Sequence, residues 1–302
     1  MILNETKERL ELFREMQLLP IAKDLDFENW LANFTNDEDY EIATHVLKFF
    51  IYLPDCMVNQ LLRTVVGRCG YYFSNNDLTW THDSFKTNCW YSFIQGEKKD
   101  DTTDSGYIFP RKLRDELNIP ADRIVSFRQL YEMLETSTTP QNVILVDDFV
   151  GSGAQTDSAW NNHRFGHLGW TLYEHVASFH HRIVYAPLIA NEIGLNRIAY
   201  KCSGLHMEYI YKLTQEYNLL NPNGLCWKGD NAKNAKFIDL LNRIAKAEGI
   251  PIQKGAHVND MLGFGRQGLA LAFSHGIPDA CPAFFYWETA TWKPLKKRSY
   301  HR

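Results

Sequence analysis

No apolar run in this chain approaches the ~20 residues that a bilayer-spanning helix needs, and a membrane role is therefore not expected. The opening Met1–Leu10 is amphipathic and charged, without the pattern of a secretory signal. Cysteine is sparse and dispersed: Cys56, Cys69, Cys89, Cys202, Cys226 and Cys281 form no close pair. That spacing excludes a zinc ribbon, and a chain of 302 residues has little need of a disulfide framework. Charge of one sign is lacking as well. The 32 Lys and Arg stand against 36 Asp and Glu, a net −4, so contact with nucleic acid would require a local patch. Internal repeats and low-complexity tracts are absent. What remains is a cytoplasmic globular protein with reduced thiols.

A 45% hydrophobic and 14% aromatic content supplies a substantial core, enough for one large domain or two modest ones. The most informative stretch is Val143-Ile144-Leu145-Val146-Asp147-Asp148-Phe149-Val150-Gly151-Ser152-Gly153-Ala154-Gln155-Thr156. Its four leading apolar residues fit a strand buried on both faces, and the two carboxylates end it. The small residues Gly151, Ser152 and Gly153 then let successive backbone N–H groups converge ahead of a helix, a geometry suited to a phosphate monoester. Paired acids at the carboxyl end of a strand lie where open α/β sheets bind ligands. Acids beside a phosphate cradle make sense when the ligand also offers hydroxyls or a metal, as a ribose 5-phosphate does. The bland alternative is a buried strand ending in a solvated Asp-Asp turn.

Elsewhere the pattern is of helices and strands in alternation. Residues 1–67 read as helical: Leu10, Phe13, Met16 and Leu19 recur until Pro20, then come Phe27, Trp30, Leu31 and Phe34. Asp37 precedes a periodic stretch with Ile42, Val46, Phe49 and Phe50 on one face, and Asp55 can cap a helix running to Gly67. Residues 68–87 read as irregular, and Cys89–Ile94 as a strand. The polar loop from Gln95 to Gly106 opens a helix over Tyr107–Leu117. Ser105-Gly106 there would form a second anion-binding turn, with Lys98, Lys99, Arg111 and Arg114 as charge partners; a plain solvated connection is the alternative. Ser126 and Gln129 make a capping box for a helix that turns Phe127, Leu130, Tyr131 and Leu134 inward. Trp160–Phe179 reads as one or two helices whose His163, His167 and His175 lack any zinc spacing and are packing or surface residues. Arg182–Ala190 is a strand and Asn191 the cap of a helix to Lys201; Met207–Leu213 is a further strand. A helix around Phe237, Leu240, Leu241 and Ile244 ends at Gly249. Two hydrophobic strands, Leu269–Phe273 and Pro282–Trp287, are expected to flank the His275-Gly276-Ile277-Pro278 turn. His275, Trp287 and Trp292 either stack on a base or are buried.

The Val143–Thr156 stretch resembles the 5-phosphoribosyl-1-pyrophosphate (PRPP) motif of type I phosphoribosyltransferases. The resemblance implies that Asp147 and Asp148 are the catalytic acids that hold the ribose hydroxyls. Val150, Gly151, Ser152, Gly153, Ala154, Gln155 and Thr156 would wrap the 5-phosphate, with Ser152 in the usual threonine place, and Ser105 and Gly106 would grip the pyrophosphate. Ala154-Gln155 departs from the usual Gly-Thr, and no room is seen for the long hairpin that many such enzymes close over substrate. With the His275–Pro278 turn and the Trp287…Leu295 ending, the order of parts is similar to phosphoribosyltransferase-like proteins of bacterial anti-phage conflict systems, including retron-associated effectors.

The fold so implied is α/β: a phosphoribosyltransferase-like, Rossmann-like, mainly parallel sheet flanked by helices, with an N-terminal helical layer. The segments would be a helical region at 1–67, the α/β core at 68–213, and a helix and strands at 214–302 completing it. The function implied is a PRPP-binding effector that transfers or releases a phosphoribosyl group, with Mg²⁺ carried by the ligand phosphates and no direct protein ligand. A reverse transcriptase with RNA or DNA is the implied partner. The alternative is a non-catalytic module that binds a phosphorylated ribose and signals through a protein partner. A weaker one is a nucleic-acid contact through the basic ending at Lys293, Lys296, Lys297, Arg298 and Arg302.

Overall fold

The computed structural model describes residues 25–94, 108–252 and 260–298, with isolated positions among the first 24. In chain order its elements are α1 (Phe27–Leu31), α2 (Asp37–Leu47), β1 (Ile51–Leu53), α3 (Asp55–Asn76), α4 (Ser84–Thr87), β2 (Cys89–Phe93), α5 (Ile108–Leu117) and α6 (Phe127–Thr136). There follow β3 (Asn142–Val150), α7 (Ala154–Asn161), α8 (Leu172–Phe179), β4 (Arg182–Asn191), α9 (Glu192–Lys201), β5 (His206–Met207), β6 (Tyr211–Leu213), α10 (Asn231–Glu248) and β7 (Leu271–Phe273). They fall into two units, one formed by residues 1–55 with 214–302 and the other by residues 56–213. No helix among the described residues is long and apolar enough to cross a membrane.

The unit of residues 56–213 is an α/β layer around a parallel sheet ordered β2-β3-β4-β5, with β6 also pairing β4. Every strand pair is parallel, β3 to β4 running in constant register from Asn142↔Arg182 to Val150↔Ala190. Such a sheet is covered on both faces, which is why β3 and β4 are nearly continuous apolar runs instead of alternating ones. One face packs Val143, Leu145, Ile183 and Tyr185 against Phe127, Leu130, Tyr131 and Leu134 of α6 and Trp160 of α7. The capping box of α6 is present: Ser126 Oγ accepts from the Gln129 N–H and the Gln129 amide oxygen accepts from the Ser126 N–H.

Several local expectations are corrected here. The helix expected to stop at Gly67 runs on to Asn76, because Val65, Val66, Cys69 and Phe73 continue its buried face. Gly70 then admits the Phe85 ring, whose Cζ would lie 2.8 Å from a Cβ at that position. Helix α2 ends at Leu47, so Phe49 and Phe50 lie beyond it, and Ile51–Leu53 turns into a strand. Between α7 and α8 the chain makes a tight turn closed by a Phe165–Trp170 bridge, with Gly166 and Gly169 at positive φ; His163 and His167 share no helical face. The strand expected over Met207–Leu213 is two, β5 and β6. Glu208 N–H bonds to the Tyr185 carbonyl and Ile210 N–H to that of Leu188, and between those two acceptors sits Pro187. Having no N–H, Pro187 cannot carry the ladder across the gap.

The other unit pairs β1 with β7 in parallel, Ile51↔Leu271 to Leu53↔Phe273. Its core centres on Trp30, fully buried, whose indole N–H donates to the Phe284 carbonyl at 2.9 Å while its ring stacks on Phe285. The Asn33 amide exchanges two hydrogen bonds with the backbone of Lys293, donating at 2.8 Å and accepting at 3.0 Å. Residues Pro282–Trp287 are not the strand expected of them. A 3-10 turn at Ala283–Phe285 follows Pro282 instead and buries Phe284 and Phe285. Trp292 is buried with its N–H on the Phe284 carbonyl, Trp287 donates to Glu248, and His275 stacks on Phe273. Arg243 of α10 grips Asp39 of α2 through both guanidinium Nη atoms at 2.8 and 2.6 Å. Helix α10 closes with Gly249 in the left-handed region, as its sequence implied.

Candidate functional site

Strand β3 does not stop at its acids. It continues through Asp147, Asp148 and Phe149 to Val150, because β4 is long enough to stay paired, with Asp147 opposite Pro187 and Phe149 opposite Ile189. The register of β2 ends earlier, at Phe93 opposite Val146. The two acids therefore lie on the part of β3 that reaches past the last residue of β2, at the carboxyl end of the sheet. Strand geometry sends successive side chains to opposite faces. Asp147 shares the face of Val143 and Leu145, and Asp148 that of Ile144 and Val146.

Both carboxylates are largely buried, each 8% exposed, so a solvated Asp-Asp turn is not what the chain forms. A buried carboxylate needs donors. Asp147 Oδ2 accepts from the Tyr185 hydroxyl at 2.6 Å, and its Oδ1 accepts from the Asp148 N–H at 2.9 Å. Tyr185 is itself buried on β4, and burial first, then the Asp147 charge, hold its phenol well above the usual tyrosine range. It is thus a fixed donor.

Beyond Val150 the chain bends through Gly151 and Ser152 to Gly153, which adopts φ 72° and stands as N-cap of α7. No side chain of the N-cap residue occupies the helix terminus. Ser152 Oγ accepts from the Ala154 N–H at 3.3 Å. A helix start reached by a glycine turn, where successive backbone N–H groups converge, is suited to an anion. Thr156 is buried, whereas Gln155 is exposed and sends its amide to the Ile94 carbonyl at 3.3 Å. The residue that departs from the phosphoribosyltransferase pattern thus ties the loop's helix to the exit of β2.

Sequence reasoning missed two residues. Gly194, in the first turn of α9, lets that helix lie directly on the loop: a Cβ there would meet the Gly151 carbonyl oxygen at 2.5 Å and Val150 Cγ1 at 2.6 Å. The signal was available, since a glycine inside a helix-forming stretch costs stability and asks for a packing reason. Tyr185 carried no signal, being one apolar-looking position in a buried strand. The helix itself starts as expected, with the Asn191 side chain accepting from the Ile193 N–H.

Ser105 and Gly106, with Lys98 and Lys99, lie outside the described residues. Arg111 and Arg114, proposed as their charge partners, both pair with Asp115 along α5. His175 is fully buried among Tyr131, Trp170 and Phe179, with neither ring nitrogen hydrogen-bonded, a packing histidine. His163 Nε2 lies 3.3 Å from Ser158 Oγ, and His167 is exposed.

A family model described as PRTase-CE matches residues 27–298, nearly the whole chain. The chain belongs to this family. PRTase-CE is a phosphoribosyltransferase family of the conflict-effector type, and the parallel sheet with flanking helices is the fold expected of it. No curated protein and no solved structure matches the chain.

Phosphoribosyltransferases often use Mg²⁺. Among the described residues, no group of three or more His, Cys, Asp or Glu converges as a metal cage. An ion carried by a ligand's phosphates needs no such cage. Mg²⁺ keeps most of its waters and takes its remaining ligands from one or two carboxylates and from substrate phosphates.

Proposed function

We propose that this PRTase-CE protein binds PRPP with Mg²⁺ at the end of β3 and transfers, or releases to water, its phosphoribosyl group. The observation that carries the reading is the succession of two buried acids, a left-handed glycine turn and a helix start with glycine as its N-cap along Asp147–Ala154. In this reading Asp147 and Asp148 accept hydrogen bonds from the ribose hydroxyls. The backbone from Gly151 to Thr156 holds the 5-phosphate, and Ser105 and Gly106 hold the pyrophosphate. The bond from ribose C1 to the pyrophosphate oxygen breaks, the pyrophosphate leaves with the electron pair, and the acceptor forms the new bond at C1 as it gives up a proton. Mg²⁺, when bound, neutralises the leaving pyrophosphate. The carboxylates face a ribose that becomes oxocarbenium-like, where negative charge is most useful.

The membership also supports a role as an effector in bacterial anti-phage defence, working with a reverse transcriptase and its RNA or DNA. The test is release of pyrophosphate from PRPP, with Mg²⁺, in the presence and absence of bases, nucleotides and RNA ends. Turnover that disappears in Asp148→Asn is the expected result. PRPP that binds in calorimetry but never yields pyrophosphate would instead establish the non-catalytic module, which the Gln155 tether of the loop's helix to Ile94 favours. Absence of binding at millimolar PRPP would remove both.

A further inference from the structure

Resting on that reading, we propose that Arg197 is a positioning residue for phosphate binding: it neutralises Asp157, an acid one turn into α7, and so keeps the loop receptive to a dianion. Helices α7 and α9 meet along a ladder of three rungs. At the first, Gly153 and Gly194 lie against each other, and a Cβ on Gly153 would sit 2.8 Å from the Gly194 carbonyl oxygen. Four residues along α7, Arg197 holds Asp157, its Nε and Nη2 donating to Oδ2 at 3.0 and 2.9 Å. Four further on, the Asn161 amide donates to Asp157 Oδ1 at 2.9 Å and to the Lys201 carbonyl at 3.1 Å. A spacing of four keeps Gly153, Asp157 and Asn161 on one helical face. The two glycines bring the helices close enough for the side-chain rungs to form.

An acid at this place is at odds with an anion site. The peptide dipoles of α7 leave positive charge at its start, and a phosphate on the loop would draw on the same charge as the Asp157 carboxylate. Asp157 lies four residues from the N-cap, ~6 Å along the helix axis, and helical side chains lean toward the N-terminus. Its side chain is 14% exposed, so water screens it weakly. Burial pushes its pKa up, but the bonds from Asn161 and Arg197 outweigh that and hold it below the usual carboxylate range. The group is therefore fully charged at neutral pH. Arg197 sets a permanent positive charge against it at contact distance, and Lys201 adds a weaker one. A mere clamp between two helices could be made from any polar or apolar pair. What the guanidinium adds is cancellation of the one charge that would oppose the ligand.

The experiment titrates inorganic phosphate and, separately, PRPP with Mg²⁺ into wild type, Arg197→Ala, Asp157→Asn and the double variant by calorimetry, at low and at high salt. Arg197→Ala unmasks the carboxylate and should weaken both ligands about tenfold at low salt, with the loss shrinking as salt rises. Adding Asp157→Asn to it should restore most of that affinity, because the charge is gone although the clamp is still broken. Asp157→Asn alone should bind phosphate at least as tightly as wild type. A double variant as weak as Arg197→Ala would show a purely mechanical clamp, and unaltered phosphate affinity in Arg197→Ala would show no coupling. Either overturns the assignment and leaves the proposed function standing. A wild type that binds neither ligand overturns both. Should Arg197→Ala fail to fold, Arg197→Gln carries the same comparison, since it keeps the stem and an amide donor to the carboxylate but not the charge.

Discussion

Two glycines in helices of the same unit should respond oppositely to the same methyl group. At Gly67, inside α3, an added Cβ has nothing within 4 Å. Alanine there gains the helix preference over glycine, about 0.5–1 kcal/mol. At Gly194 the identical gain is overridden. The Cβ would sit 2.5 Å from the Gly151 carbonyl oxygen and 2.6 Å from Val150 Cγ1, the latter about 1 Å inside the 3.5–4.0 Å optimum for carbon contacts. One of these neighbours is backbone, so the loop itself must shift, and overpacking of this kind costs about 1–3 kcal/mol. The net for Gly194→Ala is a loss of about 1–2 kcal/mol, read from denaturant midpoints with unchanged slopes. Phosphate affinity should fall with it, because the displaced segment is the loop from Val150 to Gly153. If Gly194→Ala proves as stabilising as Gly67→Ala, the close approach of α9 to the loop is wrong.

Three further outcomes are expected. Burial lowers the His175 pKa, against the opposing charges of Glu135 and Glu174, and brings that of His181 from its ordinary 6.5 down to about 4. The folded state thus binds fewer protons than the unfolded one between those values. Stability should fall as pH drops below about 6.5, by up to about 1.4 kcal/mol per pH unit for each histidine, and thermal melts that are flat or rising from pH 7 to 5 would contradict this. Asp147→Asn with Asp148→Asn should abolish pyrophosphate release, whereas activity equal to wild type would remove the site assignment; near-UV circular dichroism checks that the fold survives the change in these buried groups. Arg243→Ala leaves the buried Asp39 carboxylate without its two guanidinium donors, a loss of about 1–3 kcal/mol, with the half-exposed arginine favouring the lower end. Asp39→Asn in that background should restore part of it, and a wild-type midpoint for Arg243→Ala would show the pair to be dispensable.

What the amino-acid order determined by itself is local in origin. The capping box at Ser126 and Gln129, the Asn191 cap and the left-handed Gly249 depend on groups within a few residues of each other. The β3 run is legible for a related reason: a strand buried on both faces must be apolar throughout, whatever its neighbours are. The Asp147–Thr156 motif was visible because loop and acids are contiguous. Tertiary structure decided the rest, since partners distant in sequence leave no mark on either segment. Helix α3 passes Gly67 because Cys69 and Phe73 find a core to enter. Ile51 pairs with Leu271 through backbone groups that any residue carries. The break between β5 and β6 is set by Pro187 in the strand beside them, not by their own residues. At the site, adjacency in sequence suggested that Asp147 and Asp148 act as twins. The strand's alternation separates them, and a hydroxyl from Tyr185 on the neighbouring strand gives one of them a brace that the other does not share.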